Sequence, residues 1–224
     1  MWEKVFFRVL ILDCDGVLIR SERANLAYYN HLFRAFGLPE VAESDRERVR
    51  RLHTLSTPQV IEAFFPPELR ARARELADST GYAPFVSMVE PEPGWHEVLA
   101  ARPGFERVAV ATNRGASARA VLEAVGLLSL VDEVVTVRDV RRPKPHPDML
   151  LRAAERLGAA PGESVYVGDA ELDRSAACSA GVAFVGYRTP VPPSIRSPGE
   201  LPQALEALAR GHASGTLPCG SAVS

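Results

Sequence analysis

Short apolar runs alternate with helix-like stretches along most of the chain. The first run, at residues 5–12, is almost continuously apolar and rich in β-branched and aromatic side chains, which is typical of a central strand buried on both faces. Similar runs lie at residues 107–111, 133–137, 164–167 and 182–185. Helical patterns separate them at residues 116–125, 147–157 and 171–180. This alternation predicts parallel βαβ units, and therefore a doubly wound, Rossmann-like α/β core.

One long interval, residues 17–87, departs from this alternation. It contains several helical stretches but no convincing strand. Such a block directly after the first strand predicts a small all-helical cap domain, inserted into a discontinuous core of residues 1–16 and 88–210. The hinges should lie near residues 16–21 and 86–94, where the letters EPEPG have the composition of a linker.

The composition narrows the classes of function. The 224 residues include 26 basic and 28 acidic side chains, for a net charge of −2, and 46% are hydrophobic. Without a basic excess the chain is not expected to bind nucleic acid, and without an apolar run of about 20 residues it is not expected to cross a membrane. The final stretch, residues 211–224, carries no formal charge, and we expect it to be a disordered tail.

Three cysteines, Cys14, Cys178 and Cys219, show neither metal-binding nor disulfide spacing. The N-terminal apolar run ends in acidic residues rather than in the small residues of a signal-peptide cleavage site. Together these observations predict reduced thiols and a cytoplasmic protein. The sequence does not distinguish a monomer from a dimer.

Two acidic residues, Asp13 and Asp15, directly follow the first predicted strand. Alternation along an extended strand points both side chains to the same side, and in an open parallel sheet ligands bind at the carboxyl ends of the strands. Because two neighbouring carboxylates repel each other, a positive group should lie beside them. The motif alone is also compatible with a loop, an Asx turn or part of a calcium site.

Polar residues follow two other predicted strands. Thr112, Asn113 and Arg114 come after the second run and precede a helical pattern, an arrangement that predicts an anion site at a helix N-terminus. Asp169 ends a later strand, and Asp173 should face it from the first turn of the next helix. In each case simple helix capping is the alternative interpretation.

Lysine is a rare residue in this chain. Of the 26 basic residues only Lys4 and Lys144 are lysines, and Lys144 lies in the letters RPKPHP. Three prolines leave this loop little conformational freedom, so the position of the ammonium is set before any ligand binds. We therefore favour a functional lysine over a solvated loop residue, and a structural role for the neighbouring His146.

In chain order, the strand-end clusters read D-x-D-G, T-N, K and G-D-x-x-x-D. This order resembles the haloacid dehalogenase (HAD) superfamily over residues 8–188, and the helical insert lies where such proteins carry a small cap. The letters ATN and RPKPHPD are most similar to phosphoglycolate-phosphatase-like members. The resemblance implies a phosphatase that acts on a small phosphorylated metabolite.

The resemblance also implies catalytic roles. Asp13 would be the nucleophile that forms an aspartyl-phosphate, and Asp15 would act as general acid and then as general base. Mg²⁺ would be bound by Asp13, by the backbone carbonyl of Asp15 and by Asp169. Lys144 would supply further positive charge, and Asp173 would orient Lys144 or a metal-bound water.

Substrate contacts are implied in the same way. Thr112 and the backbone amide of Asn113 would hold phosphoryl oxygens. Arg20 replaces an aspartate that the family often has at this position, and it could lie near the substrate opening. By position the turn at residues 53–56 resembles the specificity loop of the cap, so His53 would contact the leaving group. A solvated helix face is the alternative for this region.

Several related activities can be weighed on the same residues. A dehalogenase needs neither the second acid nor a metal, so Asp15 and Asp169 argue against that activity. A phosphonoacetaldehyde hydrolase needs a cap lysine, and residues 17–87 contain none. A β-phosphoglucomutase-like phosphotransferase and a non-enzymatic phosphate-binding regulator stay open. Among substrates, phosphoglycolate is the first candidate because Arg20 would favour an anionic leaving group, and neutral sugar phosphates are the second.

Overall fold

The computed structural model describes residues 6–212 of the chain, and its strands follow the predicted pattern. In chain order they are β1 Phe7–Leu12, β2 Ile19–Arg20, β3 Glu90–Pro91, β4 Phe105–Thr112, β5 Glu133–Thr136, β6 Ser164–Gly168, β7 Ala183–Tyr187 and β8 Ser194–Ile195. Six of these form one sheet in the order β5-β4-β1-β6-β7-β8, and every pairing in it is parallel.

Helices cover both faces of this sheet and build the insert. Those of the insert are α1 Glu22–Ala35, α2 Arg46–Thr54, α3 Thr57–Phe64 and α4 Arg70–Thr80. Those of the core are α5 Trp95–Ala101, α6 Ala118–Ala124, α7 Asp148–Arg156, α8 Glu171–Ala180 and α9 Leu201–His212. A short 3₁₀ segment, Ala83–Met88, leads from the insert back to the core.

The central strand β1 shows why the sheet is buried on both faces. Leu10 and Leu12 pack into one apolar cluster, whereas Val9 and Ile11 pack into a second cluster on the opposite face. All four side chains are fully buried, as expected for a parallel strand with helices on both sides. The predicted doubly wound, Rossmann-like α/β fold is confirmed.

The insert has an apolar core of its own. Side chains from α1 to α4, among them Leu32, Phe33 and Ile61, form a third cluster. Where the chain leaves and re-enters the α/β core, β2 and β3 pair antiparallel, with Ile19 opposite Pro91 and Arg20 opposite Glu90. These features are consistent with a helical cap joined by a two-stranded hinge. The boundaries at residues 17 and 87 stay a prediction.

Three smaller expectations have separate outcomes. Cys14 is a free, buried thiol, but Cys178 is disulfide-bonded, so the expectation of reduced thiols is wrong for Cys178. Cys219 and the greater part of the predicted tail, residues 213–224, lie outside the described residues. Within residues 6–212, no helix combines the length and the apolar character that crossing a membrane requires.

Candidate active site

The predicted site residues meet at one edge of the sheet, beneath the cap. Strands β1, β4 and β6 are neighbours, so their carboxyl ends bring Asp13, Thr112 and Asp169 together. The Asp13 N–H continues the pairing by donating to the Val167 carbonyl at 2.9 Å. These residues line a cavity of about 720 Å³ between the core and the cap.

Lys144 lies at the centre of the site and is almost completely buried. Its Nζ atom is 2.8 Å from Asp13 Oδ1 and 2.7 Å from Asp173 Oδ1. It also donates to the Tyr166 hydroxyl at 2.8 Å. An ammonium has three N–H donors, so all three have a partner. Of the two roles implied for Asp173, this geometry supports the orientation of Lys144.

The loop that carries Lys144 is held by the side chain of Asn113. The Lys144 N–H donates to Asn113 Oδ1 at 3.0 Å, and Asn113 Nδ2 donates to the Lys144 carbonyl at 3.2 Å. The side chain of Asn113 therefore fixes the lysine loop against the end of β4, in addition to the restraint that the prolines provide.

The site holds more negative than positive charge. Burial raises the pKa of Asp13 well above its usual value; Lys144 opposes this shift, but the charges of Asp173 and Asp169 add to it. Burial, and then the charge of Asp173, raise the pKa of Asp169 to about 7. Burial alone would lower the pKa of Lys144, but the Asp13 and Asp173 carboxylates outweigh it and raise that pKa. An additional cation in the site would offset this excess of negative charge.

The residues present fit a divalent cation. Carboxylate oxygens of Asp13, Asp169 and Asp173 lie within 4.8 Å of one another. Asp173 is already engaged, because Oδ1 accepts from Lys144 and Oδ2 accepts from the Ala170 N–H at 3.0 Å. A Cβ on Gly16 would lie only 2.1 Å from Asp169 Oδ2, so the lack of a side chain there lets this carboxylate approach. Asp13 and Asp169 are thus the acids available to a hard cation such as Mg²⁺.

Asp15 is held by an arginine from the end of β4. Arg114 Nε donates to Asp15 Oδ2 at 3.0 Å, and a second guanidinium nitrogen donates to Oδ1. The Ser21 hydroxyl donates to the same Oδ1. Burial raises the pKa of Asp15, but the charge and hydrogen bonds of Arg114 outweigh burial and hold the pKa well below its usual range. Asp15 is therefore kept in its carboxylate form.

Arg114 also connects this carboxylate to the cap. One guanidinium nitrogen donates to Asn25 Oδ1 at 3.0 Å, and the guanidinium carbon lies 4.4 Å from the centroid of the Tyr82 ring. The Tyr82 hydroxyl donates to Asn25 Oδ1 at 2.6 Å, and Asn25 Nδ2 lies 3.1 Å from His53 Nδ1. A continuous polar network therefore runs from Asp15 into α1 and α2.

The comparison with known protein families agrees with this site. Residues 10–187 match the model of the haloacid dehalogenase-like hydrolase family. The chain belongs to this family. A probable phosphatase, IndB of Dickeya dadantii, is 32% identical over 80% of this chain and 80% of its own length. A phosphoglycolate phosphatase of Xylella fastidiosa is 31% identical, over 82% and 83% respectively.

A solved structure supports the same assignment. A HAD-superfamily hydrolase of subfamily IA from Geobacter sulfurreducens is 34% identical and superposes with a TM-score of 0.72, covering 92% of this chain and 100% of that chain. The chain is therefore an enzyme of the HAD family, and its relatives place it among the HAD-type phosphatases. The resemblance inferred from the motifs alone is confirmed.

The cavity of this HAD enzyme is lined by most of the predicted site residues. Those that line it are Asp13, Asp15, His53, Thr112, Asn113, Lys144 and Asp169. Thr112 ends β4 and Asn113 begins the loop that follows. Because α6 begins at Ala118 with Ser117 as its N-cap, the alternative that Thr112 caps this helix is not supported. The Thr112 hydroxyl accepts the Arg114 N–H at 3.0 Å, and its own hydrogen stays available to a ligand.

Arg20 is the predicted site residue that the structure does not bring to the cavity. It pairs with Glu90 at 3.0 Å and with Glu92 at 3.9 Å, and its side chain is 55% exposed. The cause is the antiparallel pairing of β2 with β3, which sets Arg20 opposite Glu90. The expected contact with the leaving group is therefore not supported.

Three residues of the site were not anticipated as functional, namely Asn25, Tyr82 and Tyr166, and a fourth, Arg114, has a different role from the one expected. Tyr166 was read as part of a buried strand, which it is, but its hydroxyl meets Lys144 and Asp173. Arg114 was expected as part of an anion site, and its pairing with Asp15 was not anticipated. The hydrogen-bond partners of these residues are distant in the sequence. The sequence therefore indicated their role only through a polar group in an otherwise apolar segment or at the end of a strand.

Proposed function

We propose that this HAD phosphatase is a Mg²⁺-dependent phosphomonoester hydrolase that acts on a small phosphorylated metabolite through an aspartyl-phosphate on Asp13. The observation that carries the proposal is the position of the Asp13 carboxylate, held by Lys144 and facing the cavity, with Asp15 beside it. A carboxylate nucleophile with a neighbouring second acid is the arrangement that two-step phosphate transfer to water requires.

In the first step, a carboxylate oxygen of Asp13 forms a bond to phosphorus while the bond from phosphorus to the leaving-group oxygen breaks. Asp13 Oδ1 accepts from Lys144 and from the Cys14 N–H at 2.7 Å, which fixes the carboxylate for attack. Asp15 gives a proton to the departing alkoxide. Because Arg114 holds Asp15 as a carboxylate in the free enzyme, Asp15 must first take up this proton from solvent and give up hydrogen bonds to Arg114 as the substrate binds. The Thr112 hydroxyl and the backbone amide of Asn113 would bind phosphoryl oxygens.

In the second step, Asp15 as carboxylate takes a proton from water, whose oxygen attacks the phosphorus of the aspartyl-phosphate. The bond to Asp13 breaks, inorganic phosphate leaves, and both acids return to their starting state. The Arg114 contacts favour the carboxylate form of Asp15 that this step needs.

A bound Mg²⁺ would be held by Asp13, Asp169 and the backbone carbonyl of Asp15, and would neutralise charge on the phosphoryl group and on its nucleophile. The excess of acids over cations in the site supports this part of the proposal. Two carboxylates and one carbonyl are too few ligands to displace a whole hydration shell, so we expect weak, exchangeable binding.

The test is phosphate release from p-nitrophenyl phosphate by the purified full chain. EDTA should abolish release and added Mg²⁺ should restore it. Asp13→Asn should lower kcat by at least about a thousandfold, whereas Asp148→Asn, outside the cavity in a surface pair with Arg142, should retain turnover. Undiminished turnover in EDTA, or in Asp13→Asn, would contradict the proposal. Dependence on a sugar bisphosphate primer instead of net phosphate release would indicate the phosphotransferase alternative.

The identity of the ester is a separate question. A cavity of about 720 Å³ suits a ligand of metabolite size, and a relative is named phosphoglycolate phosphatase. Phosphoglycolate has an anionic leaving group, whereas sugar phosphates have neutral ones. The charges on the cap side of the cavity help to decide between an anionic and a neutral leaving group.

A further inference from the structure

Arg114 and Arg20 are both paired with acidic side chains. Arg114 gives three hydrogen bonds to Asp15 and Asn25, a fourth, at 3.3 Å, to the Ser117 hydroxyl, and packs on Tyr82. Its side chain is only 6% exposed. Arg20 faces Glu90 and Glu92 at the hinge instead of the cavity. Neither guanidinium is therefore available to an anionic leaving group.

His53 is held by the side chain of Asn25. The Asn25 side-chain oxygen receives the Tyr82 hydroxyl and Arg114, so the nitrogen of that amide faces His53 Nδ1 at 3.1 Å. An amide nitrogen can only donate. The contact with Asn25 therefore uses His53 Nδ1 as acceptor and orients the imidazole at the cap side of the cavity.

The cap side of the cavity combines apolar and aromatic side chains with polar ones, most of them uncharged. Its apolar surface is supplied by Tyr28, Tyr29, Leu52, Leu55, Ile61 and Tyr82. A two-carbon leaving group such as glycolate would leave much of a 720 Å³ cavity unfilled. Neither Arg114 nor Arg20 is free to pair with its carboxylate, and removing an unpaired carboxylate from water is costly. Two further arginines of the lining, Arg74 and Arg138, are exposed to solvent, and the acidic Asp78 lies one helical turn from Arg74.

We propose that the preferred substrate is a phosphomonoester whose leaving group is uncharged and carries an apolar portion of about the size of a ring. This inference rests on the proposed phosphatase function and adds the class of ester to it. The phosphoryl group binds at Asp13, Lys144 and Thr112, and the apolar portion packs against the cap wall beyond Tyr82.

The test compares two esters that differ only in a remote charge: 2-phenylethyl phosphate and the same ester with a para-carboxylate on the ring. Because the carboxylate is far from the reacting oxygen, the two leaving alcohols have nearly the same acidity. We expect kcat/KM to be at least about tenfold higher for the uncharged ester. Phosphoglycolate should be poorer than 2-phenylethyl phosphate by a similar factor.

A variant checks that the cap wall is responsible. Leu55→Arg places a cation on this wall and should reduce the preference for the uncharged ester several-fold, whereas Leu55→Met should keep it. An equal or higher kcat/KM for the carboxylated ester or for phosphoglycolate in the wild-type chain overturns this inference and leaves the proposed function intact. If no ester is hydrolysed with Mg²⁺, p-nitrophenyl phosphate included, the proposed function itself fails.

Discussion

At the residue scale, the site depends on buried polar groups that satisfy one another. Lys144 Nζ donates to three acceptors, which belong to Asp13, Tyr166 and Asp173. The Tyr166 hydroxyl in turn donates to Asp173 at 2.8 Å. Tyr166 is fully buried, so its hydroxyl contributes to the orientation of the lysine instead of contacting substrate. The neutral Tyr166 hydroxyl thereby helps to position the Lys144 ammonium that faces Asp13.

Tyr166→Phe should lower kcat by about ten- to a hundredfold with little change in KM. The phenyl ring preserves the packing, but one N–H of a buried ammonium loses its acceptor, and hydrogen bonds to charged groups contribute about 1.5–3 kcal/mol. The matched control is Tyr187→Phe, which removes a buried hydroxyl that donates to Glu92 at 3.1 Å, away from the cavity. Equal kcat in both variants would reduce Tyr166 to a structural role.

At the element scale, contacts between strands and loops set where side chains point. Asp132, just before β5, accepts the Val108 N–H of β4 at 2.8 Å and pairs with Arg102 at the end of α5 and with Arg107. Burial raises the pKa of Asp132, but these hydrogen bonds outweigh it and lower the pKa. A depressed folded-state pKa means that the stabilisation is present above the unfolded pKa of about 3.9.

Asp132→Asn should therefore lower the free energy of unfolding at pH 7 by about 1 kcal/mol, a modest value because water screens a partly exposed pair. The difference from the wild type should shrink as the pH falls below about 4, where the wild-type carboxyl becomes protonated too. Urea unfolding at several pH values measures this. Glu75→Gln, an exposed change on α4, should show no such dependence. A difference that is constant with pH would be evidence against an ionic contribution.

The two-stranded hinge gives a second prediction at this scale. Because Arg20 pairs with Glu90 and Glu92 and not with the cavity, Arg20→Ala should leave the order of kcat/KM among phosphate esters unchanged. The order is measured with 2-phenylethyl phosphate, phosphoglycolate and a hexose phosphate. A selective loss for phosphoglycolate would return Arg20 to the substrate-binding role suggested by its position in the sequence.

At the scale of the whole molecule, the cap lies over the carboxyl edge of the sheet and bounds the cavity. Small esters fit within about 720 Å³, but an extended chain would have to pass between cap and core. The kcat/KM for a phosphopeptide should therefore be at least about a hundredfold below that for the best small ester. A phosphopeptide among the best substrates would show that the cap does not restrict access.

Much of the fold and of the candidate site of this enzyme can be predicted from the amino-acid sequence. The apolar run of β1, with Asp13 and Asp15 directly after it, locates a strand end and its acids, because short-range alternation and strand burial are local properties of the chain. The insertion of helices after β1 and the unusual Lys144 are equally local. Together they were sufficient to indicate the fold class, the family and most of the residues that line the cavity.

Only the tertiary structure decided how charges are paired. Arg20 and Arg114 both follow a predicted site motif in the sequence, but they have different partners. The pairing of β2 with β3 sets Arg20 opposite Glu90, whereas Arg114, after the end of β4, donates to Asp15 and to Asn25. Hydrogen bonds depend on distances of a few tenths of an ångström between groups far apart in the chain. Which cation meets which anion, and so what charge the leaving group encounters, is therefore set by packing and not by local sequence.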